Sequence, residues 1–262
     1  MDYVIAVRTY ARHTTFPKKT YRVLSEQHLT DRLYIFVANE TEKELYKSTI
    51  SDYNQIVVGE LGGANAIKAI CQYFPIGQRI VFMDDDLGEL YGIDTTLHDY
   101  IVDGFNTIDL HNCGAFTFSF LSNTFWLRNK PRKEIRPIIL AGNFFGTRNY
   151  PNMITTEHSH GDDLIRSVRY IEKYGCVLVY WRAGFKTRYG KEPGGLQASS
   201  ERTTTKEISW AQYNSCSLLQ AYAKPPTEEK DNPFVSMKLK PLTQLMKAMI
   251  ARGVVPIRKS FD

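Results

Sequence analysis

Asp84, Asp85 and Asp86 follow the apolar run 80–83 in the stretch IVFMDDDLGEL. Like charges side by side repel and raise one another's pKa unless a cation lies between them. A hard divalent ion such as Mn2+ or Mg2+ takes oxygen ligands, commonly one or two carboxylates plus the phosphates of a bound nucleotide. Two acids at i and i+2 just past a strand can face one crevice. Asp84 and Asp86 are therefore the expected metal ligands, and Asp85 is expected to point elsewhere. The plainer alternative is an acidic turn that caps a helix or is solvated.

Asp162 and Asp163, in HGDDLIRSVRY, open a stretch with helical periodicity. A helix N-terminus orients a carboxylate through its backbone N–H groups and lowers its pKa. As a cap alone such a residue is worth about 0.5–2 kcal/mol. Asp162 is expected to cap, leaving Asp163 ionised and available. His158 and His160, just before the pair, are expected to be exposed. In RYGKEPGGLQ, Gly194 and Gly195 allow backbone to approach a ligand closely, and Arg188 and Lys191 can neutralise a departing diphosphate. In WLRNKPRKEIRP, Arg128, Lys130, Arg132 and Lys133 stand beside aromatic residues, a composition that suits DNA phosphates or, more plainly, a solvated loop.

The elements that must position these groups read as alternating strands and helices. Strands are expected at 3–10, 32–38, 55–59 and 79–83, with helices at 17–28, 41–49 and 63–74 between them. That alternation means right-handed βαβ units and a parallel sheet, whose ligands bind beyond the carboxyl ends of the strands. Asp84, Thr9 and Asn39 all lie just past such ends. Further strands are expected at 115–120, 137–145 and 176–181, and helices at 162–174, 210–222 and 241–253, the last of them amphipathic. The fold class is α/β, a Rossmann-like and mostly parallel sheet flanked by helices, with a C-terminal helical extension. Residues 1–222 form the main domain, divided into halves 1–90 and 91–222; residues 223–262 form a linker and a helix.

The 262 residues are 43% hydrophobic with a net charge of +5, ordinary for a globular protein and mildly suited to an anionic ligand. Four widely spaced cysteines with no C-x-x-C pair argue against a zinc ribbon and a disulfide framework. No apolar run is long enough to cross a bilayer and no signal peptide is visible, so an intracellular protein without a membrane partner is expected.

The strand ending in D-x-D resembles the GT-A fold of nucleotide-sugar-dependent glycosyltransferases. So do AVRTYAR at 6–12, VANETEK at 37–43 and GGANAIKAI at 62–70, in the order and spacing of that family. The resemblance implies that Arg8, Thr9, Asn39, Glu40, Gly63, Asn65, Lys68, Asp84 and Asp85 hold a UDP-sugar, together with Arg188, Lys191, Gly194 and Gly195. It implies Mn2+ or Mg2+ on Asp84 and Asp86. HGDDLIRSVRY is similar to the acidic pair of inverting members, in which the second acid is the base; here that would be Asp163, with Asp162 beside it. Most closely the chain resembles bacteriophage enzymes akin to the TET-associated glycosyltransferases. That implies a sugar added to hydroxymethylpyrimidine in duplex DNA, or to a sugar already on it, in the cytoplasm of an infected bacterium, as protection from restriction. A GT-A enzyme with a glycan or other non-DNA acceptor is the alternative.

Overall fold

The computed structural model describes residues 2–50, 55–119, 127, 129–187, 194, 205–227 and 237–261. Arg128, Arg188, Lys191 and Gly195 lie outside the described residues. The strands are β1 (Val4–Arg8), β2 (Leu33–Val37), β3 (Ile56–Val58), β4 (Arg79–Met83), β5 (Leu90–Tyr91), β6 (Ala115–Phe118), β7 (Lys133–Arg136), β8 (Phe144–Arg148), β9 (Val177–Tyr180), β10 (Gly184–Phe185) and β11 (Lys259–Phe261). The helices are α1 (Thr20–Glu26), α2 (Glu40–Lys47), α3 (Gly63–Tyr73), α4 (Leu97–Leu110), α5 (Pro151–Ile154), α6 (Asp162–Tyr174), α7 (Thr205–Ser215), α8 (Ser217–Tyr222) and α9 (Leu242–Ala251).

The main sheet runs β11-β7-β9-β6-β8-β4-β1-β2-β3. β3, β2, β1 and β4 pair in parallel, as do β6 and β9, while β7 and β8 run against the rest. β5 and β10 form a separate antiparallel pair beside the aspartate turn. Both faces of the sheet are buried, as a mostly parallel sheet requires. Along β4, Val81 and Met83 join the core beneath α1, α2 and α4, whereas Ile80 and Phe82 pack with α3, α5 and α6. A third cluster joins the outer face of α6 to α8 and α9 through Leu164, Val168, Leu219, Leu245 and Met249. The stretch 223–262 supplies both α9 and β11, the outermost strand on that side of the sheet.

Three expectations need correction. The helix expected at 210–222 is two helices, α7 and α8, separated at Cys216. The strand expected at 137–145 is β8, shifted to Phe144–Arg148. Pro137 has no N–H for a ladder, and the N–H groups of Leu140 and Ala141 are taken by the Ser167 and Thr117 hydroxyls at 2.7 and 3.2 Å. The basic loop at 128–136 contains strand β7, paired with β9 and β11. Among the described residues no helix is long and apolar enough to cross a membrane.

Candidate active site

The site forms where β1 and β4 end, and strand alternation decides its geometry. Residues at i, i+2 and i+4 line one face of a sheet. Continuing Ile80 and Phe82 therefore puts Asp84 on the α3/α6 face, and continuing Ala6 puts Arg8 there too. Val7 pairs with Met83, so the next residues along, Arg8 and Asp84, stand side by side. Arg8 Nη2 lies 3.8 Å from Asp84 Oδ1. Its Nη1 donates to the Gly63 carbonyl at 3.3 Å and meets Asp162 Oδ2 at 3.4 Å. One guanidinium thus joins the aspartate turn, the start of α3 and the start of α6.

Asp85 falls on the opposite face and is almost fully buried. It accepts a hydrogen bond from Thr9 Oγ1 at 2.6 Å and a shorter one from Arg12 Nη1. Thr9 is itself bonded to the Tyr46 hydroxyl. Thr9 and Asp85, expected to hold the nucleotide, therefore hold each other. Asp86 does not side with Asp84 as i+2 spacing predicts. β4 stops at Met83, residues 85–86 turn, and Asp86 Oδ2 lies 3.0 Å from the same Arg12 nitrogen. Thr20 pins the turn, donating to the Asp84 carbonyl at 2.7 Å and accepting from the Leu87 N–H at 3.0 Å.

Burial, reinforced by Asp86, Asp85 and Asp162 and opposed by Arg8, pushes the Asp84 carboxyl up to about 7. Its side chain is one-third exposed. A carboxylate whose charge is disfavoured by burial and neighbouring acids, with one-third of its side chain exposed, fits a divalent ion that takes one or two carboxylates and completes its shell with phosphate oxygens. Asp86 would contribute while facing Arg12 at 3.0 Å. Among the described residues no group of three or more His, Cys, Asp or Glu is arranged to enclose a metal.

Asp162 and Asp163 are the first two residues of α6, and Gly161 in the left-handed region precedes them. Asp162 is not the cap that was expected. Its carboxylate meets Arg8 at 3.4 Å and Arg166 Nη2 at 2.9 Å. Arg166 is completely buried, its guanidinium over the Phe145 ring at 5.1 Å, and its side-chain nitrogens have no well-directed hydrogen bond. Burial would raise Asp162, but Arg166 and Arg8 outweigh it and hold the carboxyl below the usual range. Asp163 goes the other way. Burial and the adjacent Asp162 raise its carboxyl, against the lowering expected from the helix dipole. Its Oδ1 accepts from the Leu164 N–H at 2.7 Å.

The turn before β8 brings the two acidic groups together. The Asn143 carbonyl accepts from the Asp84 N–H at 3.0 Å. One residue earlier, a Cβ on Gly142 would lie 3.3 Å from the Asp163 Cβ. Asp84, Arg8 and Gly142 meet here against buried Ile67, Phe82 and Phe145.

The remaining expected residues spread out from this centre. The Gly63 carbonyl touches Arg8, and Ser159 Oγ accepts from the Ala64 N–H at 2.8 Å. Asn39 caps α2 by accepting from the Glu42 N–H at 2.9 Å, and exposed Glu40 pairs with Lys43 at 3.9 Å. Asn65 is exposed and donates to the Leu61 carbonyl; Lys68 is exposed on α3. Gly194, with φ +85°, lies against the Tyr10 and Ala11 carbonyls. His160 is not simply exposed: its Nε2 meets Ser209 Oγ at 3.0 Å. Of the basic group, Lys133 is bound to Asp103 at 2.7 Å and Arg132 to Asp94 at 3.3 Å, while Lys130 lies over Trp181 at 5.1 Å. Tyr46 and Thr20 lie in no quoted motif, and although Arg12 and Arg166 fall within AVRTYAR and HGDDLIRSVRY, only their partners in the fold reveal what they do.

No family model matches the sequence, and no curated protein is significantly similar to it. Solved structures are similar in fold. Residues 1–349 of S. aureus TarS, in complex with UDP-GlcNAc, superpose with a TM-score of 0.52 at 14% identity, over 80% of this chain and 65% of that one. The chain has the GT-A fold. The mannosyltransferase PcManGT from Pyrobaculum calidifontis, in complex with GDP-Man and Mn2+, gives a TM-score of 0.45 at 16% identity, over 68% and 56% of the two chains. The chain spans less than two thirds of either of these structures. Within the GT-A fold, Arg8 and Asp84 stand at the carboxyl ends of β1 and β4, the edge at which parallel sheets take ligands.

Proposed function

We propose that this chain is a metal-dependent glycosyltransferase that moves a sugar from a UDP-sugar to a hydroxyl acceptor, with Asp163 as the base. One observation carries the reading: Asp84, one-third exposed and held above the usual carboxylate range by burial, is tied by the turn 142–143 to Asp163, a second carboxylate held above its usual range. A donor held at the first places its anomeric carbon toward the second.

Asp84, with Asp86, would hold Mn2+ or Mg2+, which neutralises charge on a departing diphosphate. Arg8, already between Asp84 and Asp162, faces the same position and adds a fixed positive charge. Asp163 takes the proton of the attacking hydroxyl, and its raised pKa makes it a stronger base than an ordinary carboxylate. The Leu164 N–H holds one of its oxygens, leaving the other for the acceptor. Asp162 is the positioning residue beside it.

For the acceptor, the resemblance in 3–12, 35–43 and 82–90 favours hydroxymethylpyrimidine in duplex DNA, or a sugar already attached to it. Lys130 and Arg132 precede β7, whose Lys133 pairs with Tyr180 at the carboxyl end of β9, on the same side of the sheet as Asp84. Such a modification would shield phage DNA from restriction in an infected cell. One observation favours a glycan or other non-DNA acceptor instead: Arg132 and Lys133 are spent on Asp94 and Asp103 within the chain. Incubation with Mn2+, a panel of UDP-sugars and hydroxymethylcytosine DNA, followed by mass spectrometry of the digested nucleosides, decides between them. A hexose added to the modified nucleoside supports the DNA reading; UDP release only with a glycan acceptor refutes it.

A further inference from the structure

We propose that Cys113 and Cys176 are a redox pair, two thiols that a peroxide joins into one disulfide at the start of β6 and β9. The resting form is the dithiol.

The fold brings together two residues that stand 63 positions apart in the chain. α4 ends at Leu110, and Asn112, at φ +52°, turns the backbone so that the Cys113 N–H donates to the Ile108 carbonyl at 2.9 Å. α6 ends at Gly175, at φ +74°, and Cys176 follows it. Each cysteine therefore lies between a helix end and the strand it feeds, β6 for Cys113 and β9 for Cys176. Those strands pair in parallel with Phe116 opposite Leu178, so the two cysteines enter the sheet side by side. Cys176 Sγ donates to Cys113 Sγ at 3.1 Å. A disulfide holds its sulfurs at about 2.05 Å, so closing the gap takes a shift of about 1 Å. Cys71 belongs to the core on the other face of the sheet, and Cys216 packs against the helical cluster, so neither shares the cluster that holds this pair.

The two thiols have different access to an oxidant. Cys176 is fully buried beneath the C-terminal stretch, whose Ile257 N–H donates to the Gly175 carbonyl at 3.3 Å. Its hydrogen bond to Cys113, together with burial, pushes its thiol well above the usual range, so it keeps its proton. Cys113 is buried too, but it directly follows exposed Asn112 in a turn whose Leu110 is 79% exposed. A peroxide therefore reaches Cys113 first. The Cys113 sulfur attacks one peroxide oxygen: an S–O bond forms, the O–O bond breaks, and the departing hydroxide leaves as water with the Cys113 proton. The Cys176 sulfur then attacks the Cys113 sulfur: an S–S bond forms, the S–O bond breaks, and the second hydroxide leaves as water with the Cys176 proton. The two thiols lose two electrons, and one peroxide becomes two waters. The bridge closes the span that carries β7, β8 and α6. It forms at the amino ends of β6 and β9, the edge of the sheet opposite Asp84.

The test treats the full chain with hydrogen peroxide, alkylates it with iodoacetamide in guanidinium chloride, and weighs the peptides of a digest made without reductant. A peptide pair joined through Cys113 and Cys176 is expected, lighter by two hydrogens than the separate thiol peptides. In thermal melts the oxidised chain should gain roughly 4–16 °C in Tm, and dithiothreitol should remove the gain. Cys113→Ala should lose both the joined peptide and the gain. Recovery of Cys113 and Cys176 as alkylated thiols after Cys216 has been oxidised overturns the proposal. So does sulfinic acid at Cys113 with no joined peptide, or a joined peptide in which Cys71 or Cys216 replaces either partner. If Cys113→Ala fails to fold, the wild-type peptide map, read with and without reductant, decides alone.

Discussion

The adjacent acids Asp162 and Asp163 are expected to fail in opposite ways. At an effective dielectric near 20, unit charges at the 2.9 and 3.4 Å separations of Asp162 from Arg166 and Arg8 attract by about 5–6 kcal/mol each. Desolvation offsets much of this, but removing one member of a buried pair still costs about 3–5 kcal/mol, because its partners remain buried and charged. Asp162→Asn leaves the fully buried Arg166 without its counter-charge. At about 2–4 °C per kcal/mol for a chain of this size, Tm should fall by roughly 6–20 °C. Asp163→Asn removes a charge that burial already disfavours, and Asn Oδ1 can still accept from the Leu164 N–H. Its stability should stay within about 1 kcal/mol, while turnover falls about 10²–10⁴-fold. Calorimetry and UDP-release assays on both variants check this. If Asp163→Asn melts early while keeping turnover, or Asp162→Asn is stable and inactive, the assignment of roles is reversed.

Other outcomes follow from neighbouring groups. Asp84, raised to about 7, keeps its proton in the folded state where the unfolded chain has lost it, so its ionisation lowers stability as pH rises from about 4 to 7. Stabilisation by Mn2+ in thermal melts should therefore be larger at pH 8 than at pH 6; the reverse order excludes Asp84 as a ligand. The depressed Asp162 contributes stability that is present above its unfolded value near pH 4 and lost as pH falls through its lower folded value, so the acid limb of unfolding should weaken in Asp162→Asn. Gly142→Ala would press a methyl to 3.3 Å from the Asp163 Cβ, and should lower kcat more than Tm. Cys71, Cys113 and Cys176 are buried and Cys216 is partly exposed, so only Cys216 should react promptly with a thiol reagent in the native protein.

The elements that carry the acids were legible because their signals are local. β4 and α6 fall where the pattern puts them, at Arg79–Met83 and Asp162–Tyr174, since an apolar run before three acids and a 3.6-residue apolar period admit few alternatives. β7 was not legible. Lys133, Glu134 and Arg136 look like a solvated loop, yet Glu134 is buried against Trp181, Arg136 and Arg258, and Lys133 against Asp103. A strand whose charges are neutralised by residues up to 124 positions away has no apolar alternation to read. α4 does carry a local start signal, the Thr96–Asp99 capping box, which a reading by apolar period passes over.

The triplet shows the same limit at the scale of one site. Alternation does predict that Asp84 and Asp85 part company, since neighbouring residues of an extended chain face opposite sides. It places Asp86 beside Asp84 and fails there, because the chain has already turned, and it says nothing about Arg12, whose role exists only through the fold of the loop after β1. Arg12 and Arg166 are not singled out in the sequence, and Arg8 reads there as a ligand residue and not as the partner of Asp84 and Asp162. Together they set which carboxylates of the site are closely paired: Asp85 with Arg12 and Asp162 with Arg166 and Arg8, while burial holds the Asp84 and Asp163 carboxyls above their ordinary range. An aspartate motif therefore identifies a place, and the arginines that reach it decide which oxygens there can do chemistry.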